Sequence, residues 1–237
     1  MTVSGYHDGS PSSRRWPAGY PVLVIDDHEL FSTSLTMALR GLDFDAHQIP
    51  VARIPAFLSG MAGGSTGLVV LDLDLGRDAD GNWVHGSDLV KDLRGLGWKV
   101  LIVSGSVDQP GVAAAIAAGA IGSVPKSSTF DRLTSSVMIA AENKPLMTEA
   151  EYQHWLALHR RYHAQEVELS RRLNRLSNRE REVLELLAEG HRAGSIAERF
   201  VVSMTTVRTQ IRAILTKLEV NSQLEAVALI RQGSQQR

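Results

Sequence analysis

Carboxylates, one lysine and one hydroxyl recur at the ends of short apolar runs. Val22-Leu23-Val24-Ile25 is followed by Asp26-Asp27, and Leu68-Val69-Val70-Leu71 by Asp72 and then Asp74. Val100 to Val103 leads to Ser104, and Ala120 to Val124 leads to Pro125 and Lys126. If these runs are neighbouring parallel strands, their carboxyl ends converge on one rim. Three carboxylates gathered there repel one another unless a cation neutralises them. A ligand set of oxygens alone suits a hard ion such as Mg²⁺. With a lysine and a hydroxyl beside one carboxylate, the rim could steady a transferring phosphoryl group, a reaction that depends on positioning and charge neutralisation.

A second constellation lies near the end of the chain. Over 204–218, Val207, Ile211, Ile214, Leu215 and Leu218 share one helical face. The other face carries Thr205, Arg208, Thr209 and Arg212, with the two arginines one turn apart. Arginine can address guanine bidentately or bind phosphate, and threonine can meet phosphate or a thymine methyl. Periodicity alone also allows a solvated basic face.

The elements that must hold these residues follow from the pattern. Residues 1–19 are polar and turn-forming and read as a disordered tail without the apolar stretch of a secretory signal. Five strands, at 22–25, 44–49, 68–71, 100–103 and 120–124, alternate with helices at 29–40, 52–61, 87–96, 109–118 and 129–141. That alternation predicts an α/β fold with a doubly wound five-stranded parallel sheet. Pro145 interrupts the chain, and Thr148, with Glu151 as its capping-box partner, opens a long helix to about Leu173. Trp155, Tyr162, Leu169 and Leu176 recur every seven residues, so this helix either forms a coiled-coil seam or packs on its own domain. Four short helices follow, at 178–189, 195–200, 204–218 and 222–232, in the format of an all-α helix-turn-helix domain. The partition is therefore a tail at 1–19, a first domain at 20–142, a helical linker at 143–174 and a second domain at 175–237.

Charge divides along the same line. Residues 20–140 hold 8 Lys and Arg against 13 Asp and Glu, whereas 174–237 hold 10 against 7. An acidic half joined to a basic half implies different partners, the basic one compatible with a phosphate backbone. The chain has no cysteine, which excludes disulfides and thiolate zinc sites. No apolar run is long enough to span a bilayer, and a cytoplasmic address with no membrane partner is expected.

Together, V-L-V-I-D-D-H at 22–28, V-V-L-D-L-D-L-G at 69–76, V-L-I-V-S-G at 100–105 and G-A-I-G-S-V-P-K at 119–126 resemble a receiver domain of the flavodoxin-like fold, across residues 21–141. The resemblance implies that Asp72 accepts phosphate from a sensor histidine kinase. It also implies that Asp27 binds Mg²⁺ directly and Asp26 through water, with the Asp74 backbone carbonyl as a further ligand. Ser104 and Lys126 would engage the phosphoryl oxygens. Three residues depart from the family pattern. Ser123 replaces the usual aromatic that turns inward on activation, Pro125 precedes the lysine, and Gly76 stands where proline is common. The loop after Asp72 is long, and Gly86 is the glycine expected to start the next helix. Asp78, Asp80 and Asn82 in that loop have calcium-loop spacing, but Trp83 and Leu89 break the motif, leaving an extended polar loop.

L-S-N-R-E-R-E-V-L-E-L-L-A-E-G at 176–190, I-A-E-R-F at 196–200 and S-M-T-T-V-R-T-Q-I-R-A-I-L-T-K-L at 203–218 resemble the helix-turn-helix of NarL/LuxR-type regulators. The resemblance makes 204–218 a recognition helix for double-stranded DNA. Arg208, Thr209 and Arg212 would face bases, Thr205 and Thr206 would lie near phosphates, and Lys217 would be a phosphate contact or an exposed helix end. A DNA-bound homodimer is implied, with 222–232 or the linker helix as its surface. The whole chain thus reads as a phosphorylation-switched, DNA-binding transcription regulator without enzymatic turnover. Two alternatives remain. The receiver could act without phosphorylation, as a constitutive dimer or ligand sensor, a reading that Ser123 motivates. Asp72-Leu73-Asp74 also resembles the D-x-D motif of haloacid-dehalogenase-type phosphatases, although the acidic pair precedes it here and no cap domain follows. His159 and His163, one turn apart on the linker helix near His154, offer a metal pair with nothing to complete it, so they read as an exposed face.

Overall fold

The computed structural model describes residues 19–60, 66–77, 81–105 and 108–235, so the predicted tail lies almost wholly outside the described residues. The chain divides into two compact units at His159/Arg160.

The first unit is built on five parallel strands in the order β2-β1-β3-β6-β7. These are β1 (Pro21–Ile25), β2 (Asp45–Gln48), β3 (Leu68–Leu71), β6 (Lys99–Ser104) and β7 (Gly122–Pro125). Their residues alternate between two cores, as a two-residue period requires. Leu23, Ile25, Val69, Leu71, Val100 and Ile102 face one way and pack on Val90, Leu93, Val112 and Ile116. These come from α3 (Gly86–Gly95) and α4 (Gln109–Ala117), and α2 (Ile54–Gly60) adds Ile54. Val22, Val24, Leu68, Val70, Leu101 and Val103 face the other way, onto Leu35, Leu39, Leu133 and Val137 of α1 (Glu29–Gly41) and α5 (Phe130–Ala141). Both faces are covered, which explains why β3 is apolar throughout.

The stretch after Asp72 corrects the sequence reading. It was expected to be an extended polar loop, but β4 (Asp74–Arg77) and β5 (Trp83–His85) pair as an antiparallel ribbon. Leu75 anchors the ribbon in the core, 1% exposed, and the Arg77 guanidinium stacks on the Trp83 ring at 4.7 Å. The charged residues around Leu75 mask the strand pattern. Gly76 takes φ +69°, and its missing Cβ would lie 3.5 Å from Asp27 Oδ2. A proline, fixed near φ −65°, could not follow this path. Two residues of the calcium-loop spacing, Asp78 and Asp80, lie outside the described residues.

Gly86 does begin α3, and the reason is steric. A Cβ there would sit 1.9 Å from the Asp72 carbonyl oxygen. Gly86→Ala is therefore expected to force the backbone that carries Asp72 to move, at a cost of about 1–3 kcal/mol, typical of overpacking. Calorimetric melting of the wild type and the variant measures this.

Helix α6 (Glu149–Asn174) starts with the expected cap. Thr148 N donates to Glu151 Oε2 at 2.7 Å, and Glu151 N to Thr148 Oγ1 at 3.2 Å. The seven-residue spacing has a local explanation at each end. Trp155 packs against the core of the first unit, while Leu176, beyond the helix, is buried in the core of the second.

Beyond the later part of α6, the second unit comprises α7 (Asn178–Ala188), α8 (Ala193–Phe200), α9 (Met204–Leu218) and α10 (Gln223–Gln235). Its core joins Val183, Leu184, Ile196, Val207, Ile211, Ile214 and Leu218. Ser177 and Glu180 cap α7 reciprocally, and Ser203 caps α9 by accepting from Thr206 N.

Glu180 also accepts from Lys217 Nζ, at 2.8 and 2.6 Å, and so joins the start of α7 to the end of α9. Burial works to raise its pKa, but the bonds from Lys217 and the Ser177 backbone outweigh burial and hold the carboxyl below its usual range. A depressed folded-state pKa contributes stability above the unfolded value, 4.5, and that stability is lost as pH falls through the folded value. Glu180→Gln is expected to destabilise this unit by about 1–3 kcal/mol at neutral pH. Its difference from wild type should narrow towards about pH 3. Calorimetry at the two pH values tests both the size and the sign.

Candidate functional site: an acidic rim and a basic helix face

Strand register brings the rim together. Ile25 pairs with Leu71, so Asp26 and Asp72 are each the next residue beyond the last rung, and Asp72 N donates to Ile25 O at 2.9 Å. Strand order reverses between β1 and β3, opening a crevice at their carboxyl ends. Ser104 pairs with Pro125 across β6 and β7, and Lys126 N donates to Ser104 O at 2.8 Å. Lys126 thus enters the same rim from the far side.

Its ammonium bridges two buried carboxylates, reaching Asp26 Oδ2 at 2.7 Å and Asp72 Oδ2 at 2.6 Å. Asp26 is 5% exposed and Asp72 2%. Burial pushes the Asp72 carboxyl above its usual range, against the opposing hydrogen bond from Lys126 and with the added repulsion of Asp26. Burial works to lower the Lys126 ammonium, yet its bonds to Asp26 and Asp72 hold it above its usual range. The other Asp72 oxygen, Oδ1, is buried with no hydrogen-bond partner among the described residues. One lysine thus faces two buried carboxylates, and among the described residues one anionic oxygen lacks a partner.

The atoms of Asp26, Asp27, His28 and Asp72 that could ligate a cation all lie within 4.8 Å of one another. This donor set, with its orphaned oxygen, fits a small divalent cation. Among the described residues it is the only such cluster, and His154, His159 and His163 form none. Asp74 opens β4 opposite His85, and its side chain is outside the cluster. Ser104 is buried at the end of β6.

Two residues of the rim escaped the sequence reading. His28 lies beside the acidic pair, its Nδ1 2.6 Å from Asp27 Oδ1 and 3.4 Å from Lys126 Nζ. Phe31, in the first turn of α1, sits under the Lys126 ammonium at 5.1 Å. His28 could have been found by its adjacency to Asp26-Asp27, whereas Phe31 carries no such signal.

On α9, Thr205, Thr206, Arg208, Thr209 and Arg212 are all exposed on the side opposite the buried Val207, Ile211 and Ile214. Thr206 shares its hydroxyl with Ser203 at 2.9 Å, and Thr209 donates to Thr205 O at 3.0 Å. Lys217 differs from the other five, because Glu180 already engages its ammonium and it does not stand free at the helix end.

Two family models match the chain. "Response regulator receiver domain" covers residues 22–138, and "Bacterial regulatory proteins, luxR family" covers residues 174–230. The transcriptional regulatory protein DesR of Bacillus subtilis is 31% identical over 145 residues, a match spanning 60% of this chain and 64% of DesR. FixJ of Bradyrhizobium diazoefficiens is 28% identical, over 88% of this chain and 93% of FixJ. The nitrate/nitrite response regulator NarL of Escherichia coli is 26% identical, over 89% and 94%. The acidic rim falls within the receiver match and the basic helix face within the luxR match. The chain belongs to the NarL/LuxR-type response regulators, the DNA-binding transcription regulators of two-component systems.

Proposed function

We propose that Asp72 is the phosphoacceptor and that its phosphorylation by a sensor histidine kinase controls how the second domain engages double-stranded DNA. The observation that carries this reading is the buried Asp72 carboxylate, with Lys126 on one oxygen and, among the described residues, no partner on the other. An Asp72 oxygen attacks the donor phosphorus, the phosphorus–nitrogen bond of a phosphohistidine breaks, and an acyl phosphate results. The side chains of Asp26, Asp27 and Asp72 and the Asp74 backbone carbonyl would hold Mg²⁺. When bound, that cation neutralises the rim and the charge on the incoming phosphoryl group. Lys126 pairs with a phosphoryl oxygen, Ser104 donates a hydrogen bond to another, and the rigid strand ends fix both.

The domains are a receiver at 20–142, a helical linker at 143–174 and the DNA-binding domain at 175–237. Arg208, Thr209 and Arg212 face bases, while Thr205 and Thr206 approach phosphates. Lys217 meets phosphate only by sharing its ammonium with Glu180. The protein works in the cytoplasm, and a homodimer presents two recognition helices to two half-sites. Among the described residues no helix is long and apolar enough to cross a membrane.

The test is DNA affinity and association state, measured with and without acetyl phosphate and Mg²⁺. Tighter DNA binding or a shift to dimers on phosphorylation supports the switch. No change in either property would favour the second reading, a receiver that acts without phosphorylation. Ser123 supports that alternative, since a half-buried serine on β7 offers no ring to turn inward.

A further inference from the structure

A cleft of about 420 Å³ opens on the first unit at the amino ends of β6 and β7, the end of the sheet opposite the acidic rim. Arg94, Lys99 and Lys144 line it together with Ile121, Leu146 and Tyr152, and among the described residues no carboxylate does. Lys144 pairs with Glu142 at 2.5 Å. Lys99 Nζ donates to Ala140 O at 2.7 Å and Asn143 Oδ1 at 2.5 Å, which secures the end of α5, and lies 5.7 Å from the Tyr20 ring centroid, leaving one N–H for a ligand. Arg94 Nη1 donates to the Trp98 carbonyl at 3.0 Å, one of the five N–H bonds a guanidinium offers. Neither Arg94 nor Lys99 forms an ion pair with a described carboxylate. Burial lowers the Lys99 ammonium below its usual range, and the neighbouring Arg94 charge adds to that. Two cations thus share a partly apolar cleft without a counter-charge, and this is the environment in which a ligand oxyanion gains most.

We propose that this cleft binds a small organic anion, with its oxyanion head on Arg94 and Lys99 and its apolar body against Ile121, Leu146 and Tyr152. Tyr152 lies in the first turn of α6, where its amide donates to Thr148 O at 3.0 Å. A ligand seated between Lys99 and Tyr152 therefore clamps the segment 144–152 onto the receiver. This gives the receiver a second input that does not use Asp72.

Calorimetric titration of the full chain tests the proposal with three probes: 2-naphthoate, its neutral counterpart 2-naphthamide, and inorganic phosphate. We expect 2-naphthoate to bind one to one, and 2-naphthamide and phosphate each to bind roughly tenfold more weakly or worse, since each lacks half of the recognition. Arg94→Gln should weaken 2-naphthoate roughly tenfold by removing one charge-assisted contact. Ile121→Trp, which fills the cleft, should abolish binding. Both variants should still accept phosphate from acetyl phosphate, which shows that the receiver is folded. Hydrogen exchange should slow in residues 144–152 when 2-naphthoate is present. Failure of 2-naphthoate to bind, equal binding of the amide, unchanged affinity in both variants, or protection confined to other segments would each overturn the proposal.

Discussion

Asp72→Asn is expected to abolish phosphoryl acceptance entirely while raising the melting temperature of the receiver in the absence of divalent cations. The first effect follows from chemistry, because an amide oxygen is too weak a nucleophile to form the acyl phosphate. The second follows from the rim. Asp72 is 2% exposed and shares one lysine with Asp26. Burial and that repulsion raise its pKa in the folded state, so its ionised form opposes folding at neutral pH. Asparagine removes the charge and keeps the shape. Adding Mg²⁺ should stabilise the wild type more than the variant, since only the wild type keeps all three carboxylates. Incorporation of labelled phosphate and calorimetry, each with and without Mg²⁺, measure the two effects. A variant that still takes up phosphate would remove Asp72 from the role assigned to it.

Arg208→Ala and Arg212→Ala are each expected to weaken operator binding by about 1–3 kcal/mol, roughly ten- to a hundredfold, if each arginine reads a base. Both are fully outside the core, so the fold should be unaffected. The pattern across sequences separates the two roles an arginine can play. A base reader loses discrimination at one operator position. A phosphate contact weakens all DNA alike and reduces the salt dependence. Lys217→Ala provides the contrast. Its ammonium is held by Glu180, so its removal should act first on the stability of the second unit. Binding titrations over operator variants and salt, beside melting curves, distinguish the three residues.

Features written in short-range pattern were legible in the sequence. Four-residue apolar runs marked β1, β3 and β6, and the following polar residue marked the rim, because register carries Asp26 and Asp72 one step past the paired Ile25 and Leu71. The α9 bounds were legible because Ser203 caps one end and the apolar face runs unbroken to Leu218. Features that depend on distant partners were not. The β4–β5 ribbon is held to the core by Leu75, in a charged stretch, and by the half-buried Val84. The Lys217–Glu180 pair spans 37 residues of chain, and no local spacing announces it. The heptad-like spacing around α6 was ambiguous for the same reason, since Trp155 and Leu176 serve cores whose other members lie elsewhere.

The two faces of α9 have separate owners. Val207, Ile211, Ile214 and Leu218, with the Lys217 tether, belong to the scaffold, while Thr205, Arg208, Thr209 and Arg212 are exposed and lie outside its core. If those four outward side chains read the operator as proposed, its preference is modular: they form an address label that can be exchanged with a relative's without renegotiating the interior.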